Sequence, residues 1–133
     1  MIRMLDTNIC IYIMKNKPAA VAKKFASFQI GDIAVSSIVL SELAFWAYNS
    51  QQLERNLALL KAFMCPIDIF AYDESAAYSY GKIRASLKKQ GSPIGQMDIL
   101  IAAHAISLNA TLITNNLKEF SRIENLKCEN WVL

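Results

Sequence analysis

The chain has 133 residues, 54% of them hydrophobic, with only 4 Gly and 3 Pro. This excludes a disordered or low-complexity protein and predicts a single domain, residues 1–133, able to bury about two-thirds of the surface its unfolded form exposes. A net charge of +3, from 14 Lys and Arg against 11 Asp and Glu, is too small to mark a nucleic-acid binder by itself, so the distribution of charge carries that question. Three distant cysteines, Cys10, Cys65 and Cys128, lack the spacing of a zinc site and are odd in number. They read as small buried apolar residues in a reducing compartment.

The N-terminus has no basic region followed by an apolar stretch and a cleavage site, which predicts a cytoplasmic protein. The longest greasy segment, Ile33 to Tyr48, is interrupted by Ser36, Ser37, Ser41 and Glu42. A carboxylate at mid-membrane costs several kcal/mol, so a span is rejected and no membrane partner is expected.

In chain order, Ile2-Arg3-Met4-Leu5 is a short apolar run ending in Asp6-Thr7-Asn8, the pattern of a buried strand whose end carries a carboxylate. In open α/β sheets ligands bind at the carboxyl ends of strands, yet Asp and Thr also cap helices. Asp6 alone does not decide between ligand and cap. Thr7 to Met14 has helical spacing, and Lys17-Pro18 breaks it. In the next helix Val21, Phe25 and Phe28 form an inner stripe and Lys23, Lys24 and Ser27 an outer one. Ile33-Ala34-Val35 is a second buried strand, with Ser36 or Ser37 as cap of a helix running toward Ser50 that contains Glu42.

Gln51 to Met64 is an amphipathic helix striped by Leu53, Leu57, Leu60 and Met64, a face suited equally to a core or to a second subunit. Ile67 to Phe70 alternates like a strand, and Pro66 suggests an edge position. Asp73 caps a long helix with Ala76, Tyr80, Ile83 and Leu87 inward and Lys82, Ser86 and Lys89 outward. Gly91-Ser92-Pro93 turns into a buried helix from Gly95 to Leu108, with Asp98 in its first turns and Asn109 at its left-handed close. Thr111 to Thr114 is a strand, Leu117 to Phe120 a short helical turn, and Leu126 to Trp131 a last strand. Strands alternating with helices predict a mostly parallel sheet covered on both faces.

Most acids sit in polar or turn settings where a solvated charge needs no explanation. Asp6, Glu42 and Asp98 are instead embedded among apolar neighbours, with no Lys or Arg close in sequence to pair with Glu42 or Asp98, and an isolated buried carboxylate is costly. Three such groups converging at one sheet edge would raise each other's pKa until a divalent cation is bound, and oxygen donors suit Mg²⁺ or Mn²⁺ rather than Zn²⁺. A metal held this way suits phosphodiester hydrolysis. Asn115, Asn116 and Glu119, just past the strand ending at Thr114, are where a fourth group could enter.

Other chemistries fare worse. His104 lies six residues beyond Asp98, about 240° around one helix, so the two form no dyad and His104 reads as packing. There is no Gly-rich phosphate loop, nucleophile elbow or Cys-x-x-Cys. A phosphoaspartate enzyme of the haloacid-dehalogenase type wants a second Asp where Asn8 stands, and a receiver-like module wants an acidic pair and a late Lys that are missing. A non-catalytic RNA- or protein-binding domain of the same fold is the alternative from another class; its mark would be loss of one of the three acids.

Met4-Leu5-Asp6-Thr7-Asn8, Ser37-Ile38 through Ser41-Glu42-Leu43, Pro93-Ile94-Gly95 through Asp98-Ile99-Leu100-Ile101-Ala102-Ala103-His104-Ala105, Thr114-Asn115-Asn116 with Glu119-Phe120, and Glu129-Asn130-Trp131 together resemble the PIN-domain family, in particular its VapC-type toxins of bacterial toxin–antitoxin pairs. The resemblance spans essentially the whole chain. It implies a three-layer α/β/α sandwich, a Mg²⁺-dependent endoribonuclease, an inhibitory antitoxin, a homodimer, and a transfer RNA substrate, with the anticodon loop of initiator tRNA as the first expectation. Position by position, it makes Asp6, Glu42 and Asp98 metal-binding acids and Thr7 and Thr114 supporting hydroxyls. The family's fourth acidic place falls near Asn116, so Glu119 one turn on is expected to supply that charge. With metal binding given to Asp6, capping is left to Thr7. Trp46, four places after Glu42, stands where many relatives have a small residue, a departure that bears on local packing or a partner contact. With RNA as substrate, Lys15, Lys17, Lys82, Arg84, Lys88 and Lys89, otherwise solvated helix faces, become candidate phosphate contacts.

Overall fold

The computed structural model describes residues 1–132. Among them, five strands, β1 (Arg3–Leu5), β2 (Ile33–Ser36), β3 (Asp68–Phe70), β4 (Thr111–Ile113) and β5 (Lys127–Glu129), alternate with helices α1 (Thr7–Lys15), α2 (Ala19–Ala26), α3 (Ser37–Tyr48), α4 (Leu53–Met64), α5 (Glu74–Gln90), α6 (Gln96–Ser107) and α7 (Leu117–Phe120). The result is the expected α/β/α sandwich, with a sheet that is wholly rather than mostly parallel.

The strand order is β3-β2-β1-β4-β5. Building outward from β1, the chain adds β2 and then β3 on one side, crosses back through α5 and α6, and adds β4 and β5 on the other. Met4 therefore has Ala34 as its partner on one flank and Leu112 on the other. The place where the order reverses, between β1 and β4, opens a crevice at the carboxyl ends of the strands. The central strands are sealed: Met4, Leu5, Val35, Leu112 and Ile113 have no exposed surface. β3 lies at the edge, as Pro66 suggests. The helix α4 stripe resolves as core: Leu60 and Met64 are buried and Leu57 and Phe63 pack on them, although Leu53 stays 39% exposed.

Local chemistry sets the boundaries of the elements. Ser36 caps α3, its hydroxyl accepting from Ile38 N–H, and Asp73 caps α5 through Ala76 N–H. α5 ends at Gly91 (φ 68°), and the turn after α6 uses Asn109 (φ 53°), the left-handed positions that Gly and Asn tolerate. The terminal strand is fastened by aromatic packing: Phe28 stacks on buried Trp131 at 5.2 Å, and the Arg3 guanidinium lies 4.5 Å from the Phe28 ring. Of the cysteines, Cys10 is buried and Cys128 half-buried, but Cys65 is exposed. It follows the last residue of α4, where the helix end faces water, so the expectation of three buried thiols fails at that position.

Candidate active site

Asp6 follows β1 directly and is buried, 8% exposed. Its backbone N–H donates to Ile113 O at 3.0 Å, tying it to the end of β4. The residue capping α1 is Asp6 itself rather than Thr7: Asp6 Oδ1 accepts from Ile9 N–H at 2.9 Å. A carboxylate in extended backbone one residue before the helix reaches the free N–H groups, whereas Thr7 is already helical. Capping and ligation are therefore compatible in one side chain, because the cap uses Oδ1 and leaves Oδ2.

Thr7 performs a different task. Its hydroxyl donates to Glu42 Oε1 at 2.5 Å, joining the first turn of α1 to the middle of α3. Glu42 is half-buried on the same pocket wall as Thr7, Ser41, Phe45 and Met97. Asp98 arrives from the first turn of α6. Glu119 comes from α7, its Oε1 accepting from Gly95 N–H at 3.1 Å and its Oε2 from Asn116 Nδ2 at 2.7 Å. The two carboxyls meet beside Gly95: a Cβ there would lie 3.6 Å from Asp98 Oδ2 and 3.9 Å from Glu119 Oε1. Thr114, fully buried at the end of β4, uses its hydroxyl to accept from Asn116 N–H at 3.0 Å.

These acids feel one another. Burial pushes the Asp6 carboxyl above its ordinary range, and the negative charge of Glu42 adds to it, against hydrogen bonds from Thr114 and Ile9 N–H. Asp98 is pushed up to about 7, first by burial, then by its hydrogen bond to and repulsion from Glu119, with Asp6 and Glu42 contributing. Burial works against ionised Glu119 too, but the hydrogen bonds from Asp98, Gly95 N–H and Asn116 and the nearby Arg122 charge hold it below the usual carboxylate value. Below neutral pH Asp98 thus holds a proton on its hydrogen bond to ionised Glu119, and it gives that proton up as pH rises through about 7. Among the described residues no Lys or Arg forms an ion pair with any of the four; the ion pair present, Arg3 with Glu129 at 4.0 Å, lies elsewhere.

No three of these side chains are drawn tightly enough, among the described residues, to close on one ion as they stand. The donor set nevertheless fits a hard divalent cation: it consists of oxygen atoms on partly buried carboxyls, two of which, Asp6 and Asp98, are raised by burial and neighbouring negative charge, a penalty that a bound cation relieves.

A comparison with known proteins agrees with the geometry. The PIN domain family model matches residues 3–126. The chain belongs to the PIN-domain family. Within it, the chain is 48% identical over 128 residues to the tRNA(fMet)-specific endonuclease VapC of Shigella flexneri, covering 96% of each chain, and 43% identical over 132 residues to Ribonuclease VapC2 of Rickettsia felis, covering 98% of each. The structure of VapBC2 from Rickettsia felis bound to a promoter DNA fragment superposes with a TM-score of 0.92 at 42% identity, over 98% of this chain and 99% of that one. The chain is a VapC-type ribonuclease, an endoribonuclease on a PIN fold.

The candidate RNA contacts divide. Lys15 and Lys17 are exposed and line a groove beside α3 and α4. Lys82, Arg84, Lys88 and Lys89 are exposed along α5; Arg84 Nη1 is tied to the Tyr80 hydroxyl at 2.9 Å, and Lys82 borders a separate hollow with Ile123 and Glu124. None of the six is brought against the carboxyls. Sequence reasoning missed Arg122, whose charge acts on Glu119 and whose Nη1 donates to Pro93 O at 3.1 Å; its signal was the three-residue spacing from Glu119. It also missed the partner of His104. That ring is buried, 1% exposed, and its Nδ1 lies 2.7 Å from Ser36 Oγ. Burial lowers its pKa, so it is a neutral core histidine, consistent with the packing role expected of it.

Proposed function

We propose that this chain is the toxin of a VapBC-type pair and that it hydrolyses transfer RNA, with Asp6, Glu42, Asp98 and Glu119 as its catalytic carboxyls. The observation that carries this is the gathering of the four acids at the carboxyl ends of β1 and β4, where burial and neighbouring negative charge raise Asp6 and Asp98 and no Lys or Arg among the described residues is ion-paired with any of the four. The likeness to the Shigella flexneri tRNA(fMet)-specific endonuclease supports initiator tRNA as the substrate, and the likeness to VapBC complexes supports an antitoxin partner. We further propose a single domain spanning 1–133 that acts in the cytoplasm as a homodimer. No helix among the described residues is long and apolar enough to cross a membrane.

Asp6, Glu42 and Asp98 would hold the metal, with Glu119 as the fourth group. Their all-oxygen character supports Mg²⁺, with Mn²⁺ able to substitute. When bound, such an ion supplies polarisation of a phosphoryl oxygen and acidification of a water. The residues around it prepare its place. Thr7 fixes the rotamer of Glu42, and Asn116 and Gly95 N–H hold Glu119. Asp98 must surrender its proton for all four to be charged. Thr114 and Asn116 set the turn that brings α7 to the crevice.

The test is cleavage by purified, partner-free protein of a tRNA pool with Mg²⁺, followed by mapping of the ends. Cuts in the anticodon loop of initiator tRNA, abolished by EDTA and by Asp98→Asn, are expected. Intact tRNA, or full activity of the variant, would overturn the proposal.

A further inference from the structure

A groove of about 960 Å³ lies outside the carboxylate site, between the end of α1, the end of α3 and the start of α4. Its walls include Lys15, Lys17, Trp46, Gln51, Arg55 and Asn56, and no acidic side chain lines it. We propose that this groove seats the single-stranded part of the RNA substrate next to the scissile phosphate, with Trp46 as a base-stacking platform and Lys15, Lys17 and Arg55 as phosphate contacts. The proposal rests on the ribonuclease reading above and extends it to residues outside the acid cluster.

Three observations carry it. The first is charge: three exposed cations line one groove, none of them in an ion pair with an acid among the described residues. Arg55 gives one donor to Gln52 Oε1 at 3.0 Å and keeps the others. This is the complement of a polyanion, and a positive groove with an aromatic wall is how single strands are held without sequence readout. The second is alignment. Trp46 is four residues after Glu42 on α3, hence on the same helical face one turn along. Thr7 fastens the start of α1 to Glu42, and Met14 and Lys15 at the end of α1 share the groove with Trp46 and Ser50. Along α3 the groove wall at Trp46 is thus one turn, about 6 Å, from Glu42, and along α1 its wall at Lys15 is about 12 Å from Thr7. The third is the remaining wall: Gln51, Gln52 and Asn56 offer amide donors and acceptors matched to base edges and sugars, beside Met14, Ala58 and Leu59, an apolar floor on which a base face can rest.

The test uses the full chain freed of any partner, in EDTA so that RNA stays intact, and a fluorescent mixed-sequence single-stranded RNA as probe. Affinity is measured against salt. Trp46→Ala is expected to weaken binding about tenfold or more, and Trp46→Phe to recover most of the loss. Lys15→Gln, Lys17→Gln and Arg55→Gln, all at exposed positions, should each lower the slope of log affinity against log salt by about 0.7. RNA should also quench tryptophan emission in the wild type and not in Trp46→Phe, because Trp131 is 3% exposed. In cleavage assays with Mg²⁺ the groove variants should raise KM and leave kcat unchanged. Unchanged affinity and slope in all four groove positions, while the wild type cuts RNA, would overturn this proposal and leave the ribonuclease reading standing. Variants that keep RNA affinity but lose a bound polypeptide partner would give the groove to that partner. A wild type that neither binds nor cuts RNA would bring down both.

Discussion

Replacing Asp98 by Asn should make the metal-free protein more stable at alkaline pH while disabling the enzyme. Asp98 is held protonated to about pH 7 against an ordinary 3.8, so the unfolded chain loses this proton before the folded one does. Stability from Asp98 is fully present below about pH 4, declines as the unfolded state ionises, and is lost once pH passes 7. Three pKa units correspond to roughly 4 kcal/mol as a ceiling; Asp98 is only half-buried, and solvent screening reduces this to about 1–2 kcal/mol. Asparagine resembles the protonated acid, since its amide can donate to Glu119 as the carboxyl proton does, and it does not titrate. The assay is denaturant unfolding of both proteins in EDTA between pH 4 and 8.5. The difference between them should grow with pH in favour of the variant, reach about 1–2 kcal/mol above pH 7, and reverse on adding Mg²⁺, which stabilises the wild type alone. A variant less stable than wild type at pH 8 in EDTA would refute the idea that Asp98 is a repelled carboxyl awaiting a cation.

Saturating wild type with Mg²⁺ or Mn²⁺ at about 100 times Kd should add roughly 2.7 kcal/mol, on the order of 10 °C in Tm; no shift in a thermal melt at millimolar metal would argue against a clustered site. Thr7→Val removes the donor that orients Glu42 and is expected to lower activity or metal affinity by about 10- to 100-fold, with Thr7→Ser recovering most of it; equal rates for all three would make the contact incidental. Asp6→Asn should keep the cap and Asp6→Glu should lose about 1 kcal/mol of it, yet both should be nearly inactive; urea melts and tRNA cleavage separate the two effects. His104 has a lowered pKa, so its contribution to stability is whole above about pH 6.5 and falls as acid forces a proton into the core; His104→Gln should flatten the wild-type stability loss between pH 6.5 and 5, and parallel curves would exclude His104 as its source.

Periodicity and caps made the elements legible, because each depends on neighbours a few residues away. The stripes of α2 and α5, the caps at Ser36 and Asp73, and the left-handed Asn109 all follow from such local rules. Three features were not local. Nothing near Thr111 says that β4 settles beside β1 rather than β3; that comes from the lateral reversal after β3, which only the completed sheet decides. The Ser36–His104 contact joins residues 68 apart, so His104 could be read as packing but not given its partner. Asp6 was split into a ligand with Thr7 as cap, since the sequence cannot tell that one oxygen of a carboxylate suffices for the cap. Asp6, Glu42 and Asp98 stood out because apolar neighbours make an unpaired acid conspicuous. Glu119, in a polar segment, offered no such contrast, and the basic residues could be picked out only by sign, which does not say where they point.

The choice of Asp at position 6 and Glu at position 42 follows from where each side chain starts. Asp6 springs from the last turn of backbone before α1, already at the carboxyl edge of the sheet, and needs only a short arm; capping Ile9 N–H then fixes that arm by one oxygen. A Glu there would trade the cap for reach it does not need. Glu42 starts from within α3, about a turn and a half past the sheet edge, and only a longer arm brings its carboxyl back toward the crevice. A longer arm is looser, with one more torsion to freeze, and the Thr7 hydroxyl restrains it. The tandem of Asp6 and Thr7 thus places two acids at once: one as a cap, and the other through a hydroxyl on the helix that the first one starts. That coupling explains how acids gathered at one site can be held in position before any cation arrives, since Asp6, Glu42 and Glu119 are each anchored by an N–H or O–H donor rather than by the ion.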